Sequence, residues 1–543
     1  MYKEDVKIYY HIKHNPRDIQ LEALDFTKEQ IRHGKKNILL NMPTGSGKSL
    51  FSIMFINWYL NYINKDAKFD ILTNSKILQQ QYVDEFQFIA NVKGRNSYRC
   101  RDYPDASCEE GNELNKAFKK KCHDCPYEKA QEGWVNNRIG LTNFHYFNSI
   151  CLFKNEILQT KDPNVLIIDE AHGFADILCD NFSNRISKSL LKRMGFIDAE
   201  TNTIYQDIKF IKTVDEYADY IKDIFINRLN EKKSKIETKI TKSIPMSEKV
   251  KLTKSLNLII KTVSNYNTFL TDYLNNPSNW IIDFEYTQDK HFSKNIIVEP
   301  IWSYPYLPKY IWDKFDHVIM MSSTILNKEQ FCYMNGIEKK LTSYCDFESP
   351  FDVKNRKIFY LKGIGKMSYE SKENTFNNQL KYIDKIINKY KDKKGVIHTF
   401  SYELSKKLEE VYKDNDRFIF HDPEKINQAL EEHYANDKAS IIVSPSLISG
   451  IDFKDDYSRF QLILKIPYPS LGSKKIKKRL EINKEWYSLK TCADLIQMSG
   501  RGVRSYEDYC DTFILDDSFS NLLQYSYKYL PKWYTESIKI LKI

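Results

Sequence analysis

Residues 37–49 read Asn37-Ile38-Leu39-Leu40-Asn41-Met42-Pro43-Thr44-Gly45-Ser46-Gly47-Lys48-Ser49, and this stretch decides the fold. Its first five residues contain a short apolar run, which predicts a buried β-strand. The glycines that follow predict a tight loop, and the apolar residues of 52–60 recur with helical spacing. A strand, a glycine-containing loop and a helix in this order are typical of a parallel α/β fold.

The loop also has the chemistry of a phosphate-binding site. Gly45 and Gly47 allow backbone N–H groups to turn toward an anion. Lys48 supplies a positive charge for terminal phosphates, and Ser49 supplies a hydroxyl for Mg²⁺. Met42 departs from the generic pattern, which opens with glycine. The alternative is a chance glycine-rich turn, which the flanking strand and helix disfavour. The residues expected to bind the phosphates are Thr44, Gly45, Ser46, Gly47, Lys48 and Ser49.

A second candidate group follows another apolar run. Residues 165–168 are Val-Leu-Ile-Ile, which predicts a buried parallel strand, and Asp169-Glu170-Ala171-His172 comes directly after it. Asp169 can hold Mg²⁺ through water, and Glu170 is placed to polarise an attacking water. Adjacent strand residues point to opposite faces. Because the chain turns where a strand ends, we nevertheless expect both carboxylates to face the nucleotide.

Two arginines lie more than 450 residues from Lys48. Arg501 and Arg504 are three residues apart, so on a helix they would share a face. If two domains close on one nucleotide, these arginines act as fingers on its γ-phosphate. ATP hydrolysis would then be coupled to the opening and closing of the domains. The alternative is an ordinary surface helix with salt bridges.

The chain contains two α/β segments separated by stretches of different composition. The first includes a short predicted strand at 70–73. Residues 94–135 are richer in Cys, Gly, Lys and Arg, whereas 185–290 are Lys-rich, poor in Gly and helical in period. These lysines indicate either a solvated helix face or a nucleic-acid surface. The second segment begins near 355, with strands predicted at 395–398, 441–443 and 461–464.

Composition limits the class of protein. A chain of 543 residues predicts three or four domains. The net charge of +10 weakly favours a polyanionic partner. No apolar run reaches the ~18 residues of a membrane span, and Met1–Asp5 lacks the apolar core of a signal peptide. We therefore expect a cytoplasmic protein, and the Lys-, Asn-, Ile- and Tyr-rich composition suggests that the cell is a bacterium or a phage-infected host.

Four of the ten cysteines fall in one short segment. Cys100, Cys108, Cys122 and Cys125 are separated by seven, thirteen and two residues. Four thiolates suit zinc or an iron–sulfur cluster, and spacing alone does not choose between them. Basic residues that can neutralise phosphates and aromatic residues that can stack on bases lie nearby. They are Arg95, Arg99, Arg101, Lys119, Lys120, Lys121, Tyr98, Tyr103 and Trp134. The alternative for each is a solvated basic surface.

Taken in order, these motifs resemble those of superfamily 2 helicases of the XPD/DinG type, an iron–sulfur DEAH-box group. The resemblance covers nearly the full length. The segments that carry it are Arg17–Gln20, Leu72–Ser75, Lys93–Cys100, Leu141–His145, Asp169–His172, Ser322–Thr324, Gly450–Phe453 and Gln497–Arg504. Two residues depart from the family pattern, because Ser323 stands where the family has Ala and Ser449 where Glu is usual. These departures bear on how strongly the motifs are coupled.

The resemblance implies an α/β fold of two RecA-like motor domains with an inserted Fe–S domain and an inserted helical arch domain. The implied boundaries are 1–93, 136–185 and 291–345 for the first motor domain, 94–135 for the Fe–S domain, 186–290 for the arch and 346–543 for the second motor domain. It implies a [4Fe–4S] cluster on Cys100, Cys108, Cys122 and Cys125. It implies that Gln20 reads the base with Arg17 beside it, and that Asp452 joins the nucleotide site. The implied catalytic residues are Lys48, Asp169, Glu170, Gln497, Arg501 and Arg504.

The implied activity is that of an ATP- and Mg²⁺-dependent DNA helicase. Such an enzyme moves 5′→3′ on single-stranded DNA and unwinds forked duplexes, here as a monomer. Two other functions stay open. One is a double-strand DNA translocase or remodeller that does not unwind. The other is a nucleic-acid-binding regulatory subunit with a decayed ATPase, which the complete set of nucleotide residues disfavours.

Overall fold

The computed structural model of the protein describes residues 9–11, 14–117, 120–242, 244–287, 293–447, 453 and 455–543. The strands, in chain order, are β1 (Asn37–Asn41), β2 (Phe69–Thr73), β3 (Ala90–Asn91), β4 (Ile139–Asn143), β5 (Val165–Asp169), β6 (Asn184–Ile186), β7 (Trp280–Thr287), β8 (Ser293–Pro300), β9 (His317–Ser322), β10 (Thr342–Asp346), β11 (Ile358–Lys362), β12 (Gly395–His398), β13 (Phe418–Ile419), β14 (Ile441–Ser444), β15 (Phe460–Ile463), β16 (Asp511–Ile514) and β17 (Ile538–Lys542).

The helices, in chain order, are α1 (Asp18–Arg32), α2 (Lys48–Tyr62), α3 (Lys76–Glu85), α4 (Cys108–Ala117), α5 (Pro126–Asn136), α6 (Phe144–Phe153), α7 (Asn155–Lys161), α8 (Phe174–Phe182), α9 (Lys188–Arg193), α10 (Asp198–Ile208), α11 (Val214–Tyr220), α12 (Ile226–Ile240), α13 (Met246–Asn275), α14 (Leu307–Tyr310), α15 (Lys328–Met334), α16 (Lys372–Lys389), α17 (Tyr402–Tyr412), α18 (Ile426–Ala435), α19 (Lys474–Ile482), α20 (Lys484–Ser499), α21 (Ser518–Ser526) and α22 (Lys532–Thr535). Several begin at a capping side chain: Ser75, Asn143 and Ser401 each accept a hydrogen bond from the first turn. Such caps satisfy N–H groups that a helix start leaves unpaired.

The first sheet has the strand order β10-β1-β9-β5-β2-β4-β3, with parallel pairing throughout. We call the part of the chain built around it the first lobe. Every residue of β1 is buried. Leu39 packs into one apolar core, whereas Ile38 and Leu40 pack into another. Because alternate strand residues point to opposite faces, this strand needs apolar side chains on both sides, which explains its continuous apolar run.

The second sheet has the order β13-β14-β12-β15-β16-β11-β17 and is also parallel. We call the part of the chain built around it the second lobe. Its central strands are short and fully buried, as shown by β12, β14 and β15. The two seven-stranded parallel sheets confirm the predicted α/β fold with two RecA-like domains.

Helices α9 to α13 dominate the lysine-rich stretch, and a π-helical turn (Ile221–Phe225) joins α11 to α12. The predicted helical segment of 186–290 nevertheless ends in a strand, β7. Within the described residues, β7 forms a three-stranded antiparallel sheet with β6 and β8. The sequence carries the signal for this strand, because the apolar or aromatic residues Ile282, Phe284 and Tyr286 alternate with the acidic residues Asp283 and Glu285. In the described part of the chain, no helix has the length and apolar character needed to cross a membrane.

Candidate active site

A cleft of about 790 Å³ lies between the two lobes. In the first sheet β1, β9 and β5 are neighbours, so their carboxyl ends bring three loops to one edge. The second lobe contributes the end of α20 and the chain after it. Predicted site residues that line the cleft are Arg17, Gln20, Thr44, Gly45, Gly47, Lys48, Ser49, Asp169, Glu170, Gln497, Arg501 and Arg504. Ser46 is buried beneath them, and Asp452 lies outside the described residues.

The loop before α2 has the backbone that an anion site requires. Gly45 and Gly47 both have left-handed φ values, 74° and 80°. A side chain at these positions would be strained, so glycine is needed here. Lys48 is the first residue of α2, where the helix N-terminus also favours negative charge. The side chain of Lys48 is only 8% exposed.

Glu170 lies at the centre of the polar contacts in the cleft. Its Oε1 is 3.1 Å from Lys48 Nζ. Its Oε2 accepts hydrogen bonds from Ser322 Oγ (3.3 Å) and from Gln497 Nε2 (3.1 Å). Gln497 belongs to the second lobe, so this one carboxylate links the phosphate loop of the first lobe to the second lobe.

The electrostatics keep Glu170 ionised. Burial alone would raise the pKa of its carboxyl, but the Lys48 ammonium and His172 outweigh burial and hold that pKa well below its ordinary value. The backbone of Glu170 has a left-handed φ of 58°. This sharp turn lets two adjacent residues, Asp169 and Glu170, both line the cleft, as the sequence predicted.

Asp169 accepts a hydrogen bond from Tyr82, a residue that was not predicted from the sequence. Tyr82 donates its hydroxyl to Asp169 Oδ2 at 3.1 Å. Burial raises the pKa of Asp169 to about 6, although the Lys48 ammonium opposes the shift. Because Tyr82 is fully buried on α3, its hydroxyl fixes the orientation of this carboxylate.

Glu85 is a second residue that sequence reasoning missed. It accepts a hydrogen bond from Ser49 Oγ (3.3 Å) and lines the cleft. Burial raises the pKa of its carboxyl. Tyr82 and Glu85 are three residues apart on α3 and therefore share a face, a pattern that could have pointed to them.

Arg17 and Gln20 contact the phosphate loop directly. Gln20 is buried, its Oε1 accepts from Arg17 N (2.8 Å), and its Nε2 donates to the carbonyls of Ser46 and Gly47, both at 3.0 Å. Arg17 Nη1 donates to the Gly45 carbonyl at 2.5 Å. In this arrangement both polar atoms of the Gln20 side-chain amide bind backbone groups, whereas the resemblance implied that Gln20 recognises the base of the nucleotide.

The two arginines line the cleft, but not from a helix. The prediction that Arg501 and Arg504 share a helix face is wrong, because α20 ends at Ser499 and Gly500 caps it. Gly500 lies so close to the first lobe that a Cβ there would be 2.6 Å from Thr44 Oγ1. The helix therefore stops where the two lobes meet, and both arginines follow in a loop.

Ser322 is the last residue of β9, and Ser323 and Thr324 follow it at the same edge of the sheet. Ser323 Oγ accepts a hydrogen bond from Gln497 Nε2 at 3.0 Å. Ser322 Oγ lies 2.9 Å from His172 Nδ1. The serine that departs from the family pattern thus makes a contact between lobes that alanine could not make.

The four clustered cysteines lie apart from the cleft, and the thiols of two of them approach each other. Cys108 Sγ and Cys125 Sγ are 3.9 Å apart, and Asn115 Nδ2 donates to Cys122 Sγ at 3.3 Å. Cys100 packs against Gly111, where a Cβ would lie 2.1 Å from its Sγ. Among the described residues, no set of three ligands has the geometry of a metal site. A group of thiols that are all free is chemically suited to a cluster, and the ligand set stays a prediction.

Trp134 does not take part in a nucleic-acid surface. It is fully buried, and its carbonyl accepts a hydrogen bond from Lys161 Nζ at 2.6 Å. The prediction that it could stack on a base is therefore wrong. Lys119, also predicted for this surface, lies outside the described residues.

Two family models match the chain. The model described as "Helicase C-terminal domain" matches residues 383–537, and the model described as "Type III restriction enzyme, res subunit" matches residues 13–197. No curated protein sequence matches it significantly.

Solved structures with a similar fold cover almost the whole chain. An XPD helicase has 17% identity and a TM-score of 0.62, covering 97% of this chain and 100% of its own. A structure titled XPD apo form has 15% identity and a TM-score of 0.59, with the same coverage. Xpd4 of S. tokodaii has 13% identity and a TM-score of 0.55, again with the same coverage.

Proposed function

We propose that this chain is an ATP-dependent DNA helicase of superfamily 2, because a helicase C-terminal model and a type III restriction enzyme res-subunit model each match part of it and its fold is similar to that of an XPD helicase. The observation that carries the proposal is the position of Glu170. Its carboxylate contacts the phosphate-loop lysine of the first lobe and Gln497 of the second lobe. A group held by both lobes can link the chemistry of the nucleotide to their relative position.

In the proposed site, Lys48 binds the β- and γ-phosphates of ATP. Ser49 and Asp169 are the residues that would hold Mg²⁺, whose charge neutralises the phosphate oxygens. When ATP enters, Lys48 exchanges the Glu170 carboxylate for the γ-phosphate. Glu170 is then released from this ion pair. Without the Lys48 ammonium beside it, the carboxylate becomes a stronger base and can accept a proton from the attacking water.

Arg501 and Arg504 complete the site from the second lobe. We propose that they stabilise the charge that develops on the γ-phosphate when the cleft closes. Hydrolysis removes that charge, and the lobes can then separate. One cycle of closing and opening would move the second lobe along a bound strand.

The proposed track is single-stranded DNA, and the proposed direction is 5′→3′. The XPD-type fold supports this choice, and the basic residues near the cysteines support a nucleic-acid track. We further propose a [4Fe–4S] cluster on Cys100, Cys108, Cys122 and Cys125, supported by the approach of the Cys108 and Cys125 thiols to 3.9 Å. We also propose a cytoplasmic monomer.

DNA-stimulated ATP turnover tests the proposal. Wild-type protein should hydrolyse ATP faster with single-stranded DNA present, whereas Lys48→Ala should lose nearly all turnover. Lys391→Ala, which removes an exposed lysine of the second lobe, is the matched control and should keep it. Equal turnover in Lys48→Ala and wild type would refute the proposal.

The competing translocase function is tested with DNA that has no free strand. A double-strand translocase would be stimulated by closed duplex circles and would leave a forked duplex intact. The helicase proposed here should show the opposite preference. A regulatory subunit with a decayed ATPase would show turnover with neither substrate.

A further inference from the structure

The lobes meet at a second place, beyond the nucleotide cleft. Helix α20 runs between the two places. Near its end, Gln497 contacts Glu170 and Ser323 in the cleft. At its start, Glu485 Oε2 accepts a hydrogen bond from Gln330 Nε2 of the first lobe at 2.7 Å. Helix α19 comes just before α20 and also contacts the first lobe in this second place.

Arg479 of α19 is the residue at the centre of these contacts. Its side chain is only 4% exposed. Its Nη1 donates to Asp176 Oδ1 and its Nε to the Ile301 carbonyl, both at 2.7 Å. Its guanidinium also lies over the rings of Trp302 (4.7 Å) and Trp486 (5.1 Å). A guanidinium with this many partners is held in one position.

The partners of Arg479 connect three parts of the molecule. Asp176 lies in α8, which begins at Phe174, just after the Asp169–His172 motif. Ile301 and Trp302 directly follow β8, the strand that leaves the inserted segment. Arg479 itself belongs to the second lobe. The Arg479 side chain thus links three parts of the molecule: the helix after the Asp169–His172 motif, the segment that follows β8, and the second lobe.

His172 provides a physical path from the cleft to this contact. Its Nδ1 lies 3.4 Å from Glu170 Oε2. The same residue also lines a cavity of about 60 Å³ together with Asp176, Trp302 and Arg479. A change at Glu170 can therefore reach α8 through packed side chains.

We propose that Arg479 and Asp176 form the pivot on which the second lobe turns when the cleft closes, so that Arg479 is a positioning residue that couples ATP turnover to movement. The proposal rests on the helicase function proposed above. The contact should stay intact during the cycle, because Arg479 is buried and separating it from the half-exposed Asp176 carboxylate would leave the guanidinium charge uncompensated.

The cleft, by contrast, is a large open space, and the solvent it holds can leave as the lobes approach. Movement should therefore occur at the cleft and not at the pivot.

Other contacts of α19 strengthen the pivot. Lys475 Nζ lies 2.8 Å from Glu299 Oε2, and Ile301, Trp302 and Trp486 form a buried apolar cluster.

The first test is kinetic. In Arg479→Met, stimulation of ATP turnover by single-stranded DNA should fall about tenfold, and base pairs unwound per ATP should fall with it. The KM for ATP without DNA should change less than about twofold, since Arg479 is remote from the nucleotide. Smaller changes in the same direction are expected in Arg479→Lys and Asp176→Asn. These variants nearly preserve the size of the side chain, so they test the proposal if Arg479→Met does not fold.

Arg417→Met is the matched control. The guanidinium of Arg417 donates to the carbonyls of Ala439, Ile387 and Tyr390, all within the second lobe. Its loss should lower Tm without changing stimulation by DNA or unwinding per ATP. If the Arg479 and Asp176 variants behave like Arg417→Met, Arg479 is merely structural and the pivot is wrong.

The second test does not depend on helicase activity. Hydrogen exchange is followed in wild-type protein with and without a non-hydrolysable ATP analogue. Residues 500–505 should gain protection as the cleft closes, whereas 474–482 should keep the same protection. Loss of protection in 474–482 would mean that the contact opens, which overturns the pivot even if the protein proves to be a helicase.

Discussion

Ser323 places a hydroxyl where XPD/DinG-type helicases carry alanine, and this hydroxyl accepts a hydrogen bond from Gln497 Nε2. Gln497 also donates to Glu170, so the two bonds fix its amide between the lobes. The residue that departs from the family pattern therefore adds a contact at the point where the lobes communicate.

Ser323→Ala should weaken this communication. One neutral hydrogen bond contributes about 1 kcal/mol, which corresponds to roughly a fivefold change. We expect DNA-stimulated turnover to fall by about that factor, with the KM for ATP little changed. Steady-state kinetics check this, with Ser368→Ala, at an exposed position of the second lobe, as the control. Unchanged turnover would show that the bond has no role in coupling.

Gln20 leads to a prediction about nucleotide selectivity. Its amide binds the backbone of Arg17, Ser46 and Gly47, so it acts on the phosphate loop that every nucleoside triphosphate uses. Gln20→Ala leaves buried carbonyls unpaired, at a cost of about 1–3 kcal/mol. We expect the KM values for ATP and GTP to rise by the same factor. A rise for ATP alone would restore the base-reading role that the sequence suggested.

Among the secondary-structure elements, the buried pair of Asp70 and Lys161 fixes the relative positions of β2, α7 and α5. Asp70 belongs to β2 and Lys161 ends α7, and their charged atoms are 3.3 Å apart with both side chains fully buried. Lys161 also donates to the Trp134 carbonyl of α5. The pair thus ties the helix after the cysteine segment to the first sheet.

Lys161→Met should destabilise the first lobe by about 3–5 kcal/mol, because it leaves the Asp70 carboxyl buried without its partner. The double variant Asp70→Leu with Lys161→Met removes both charges and should recover most of that loss. Denaturant unfolding followed by tryptophan fluorescence measures the difference. A double variant less stable than the single one would contradict this explanation.

Elements were predictable where one local pattern decided them. The apolar runs at 37–41, 165–168 and 441–443 are strands because parallel strands are buried on both faces. Strand β7 was missed because it follows a long helical stretch, although its residues alternate. The end of α20 was missed because it depends on Gly500 meeting Thr44 in the other lobe, a contact that no local pattern encodes.

At the scale of the whole molecule, the sequence predicted most residues of the cleft, since each belongs to a short motif at the end of a strand or helix. It did not predict Tyr82, Glu85 or Arg479. Tyr82 and Glu85 reach the cleft because they lie on the same face of α3. The role of Arg479 depends on how the second lobe packs against the first. The contacts of Arg479 follow from the relative position of the two lobes and not from the spacing of residues along the chain.

The cysteines give a prediction about metal. Protein purified without oxygen should contain about four iron and four sulfide per chain if the four thiols hold one cluster. Cys108→Ser should lose most of that iron, whereas Cys332→Ser, at a buried cysteine outside the group, should keep it. Zinc in place of iron would contradict the cluster.

If one ATP site shared by the two lobes drives strand separation, the protein should unwind a forked duplex when ATP is supplied. With a single-stranded 5′ tail on the DNA, wild-type protein and ATP should separate the strands, whereas Glu170→Gln should bind ATP and separate none. No unwinding by wild-type protein, or equal unwinding by Glu170→Gln, would contradict the account.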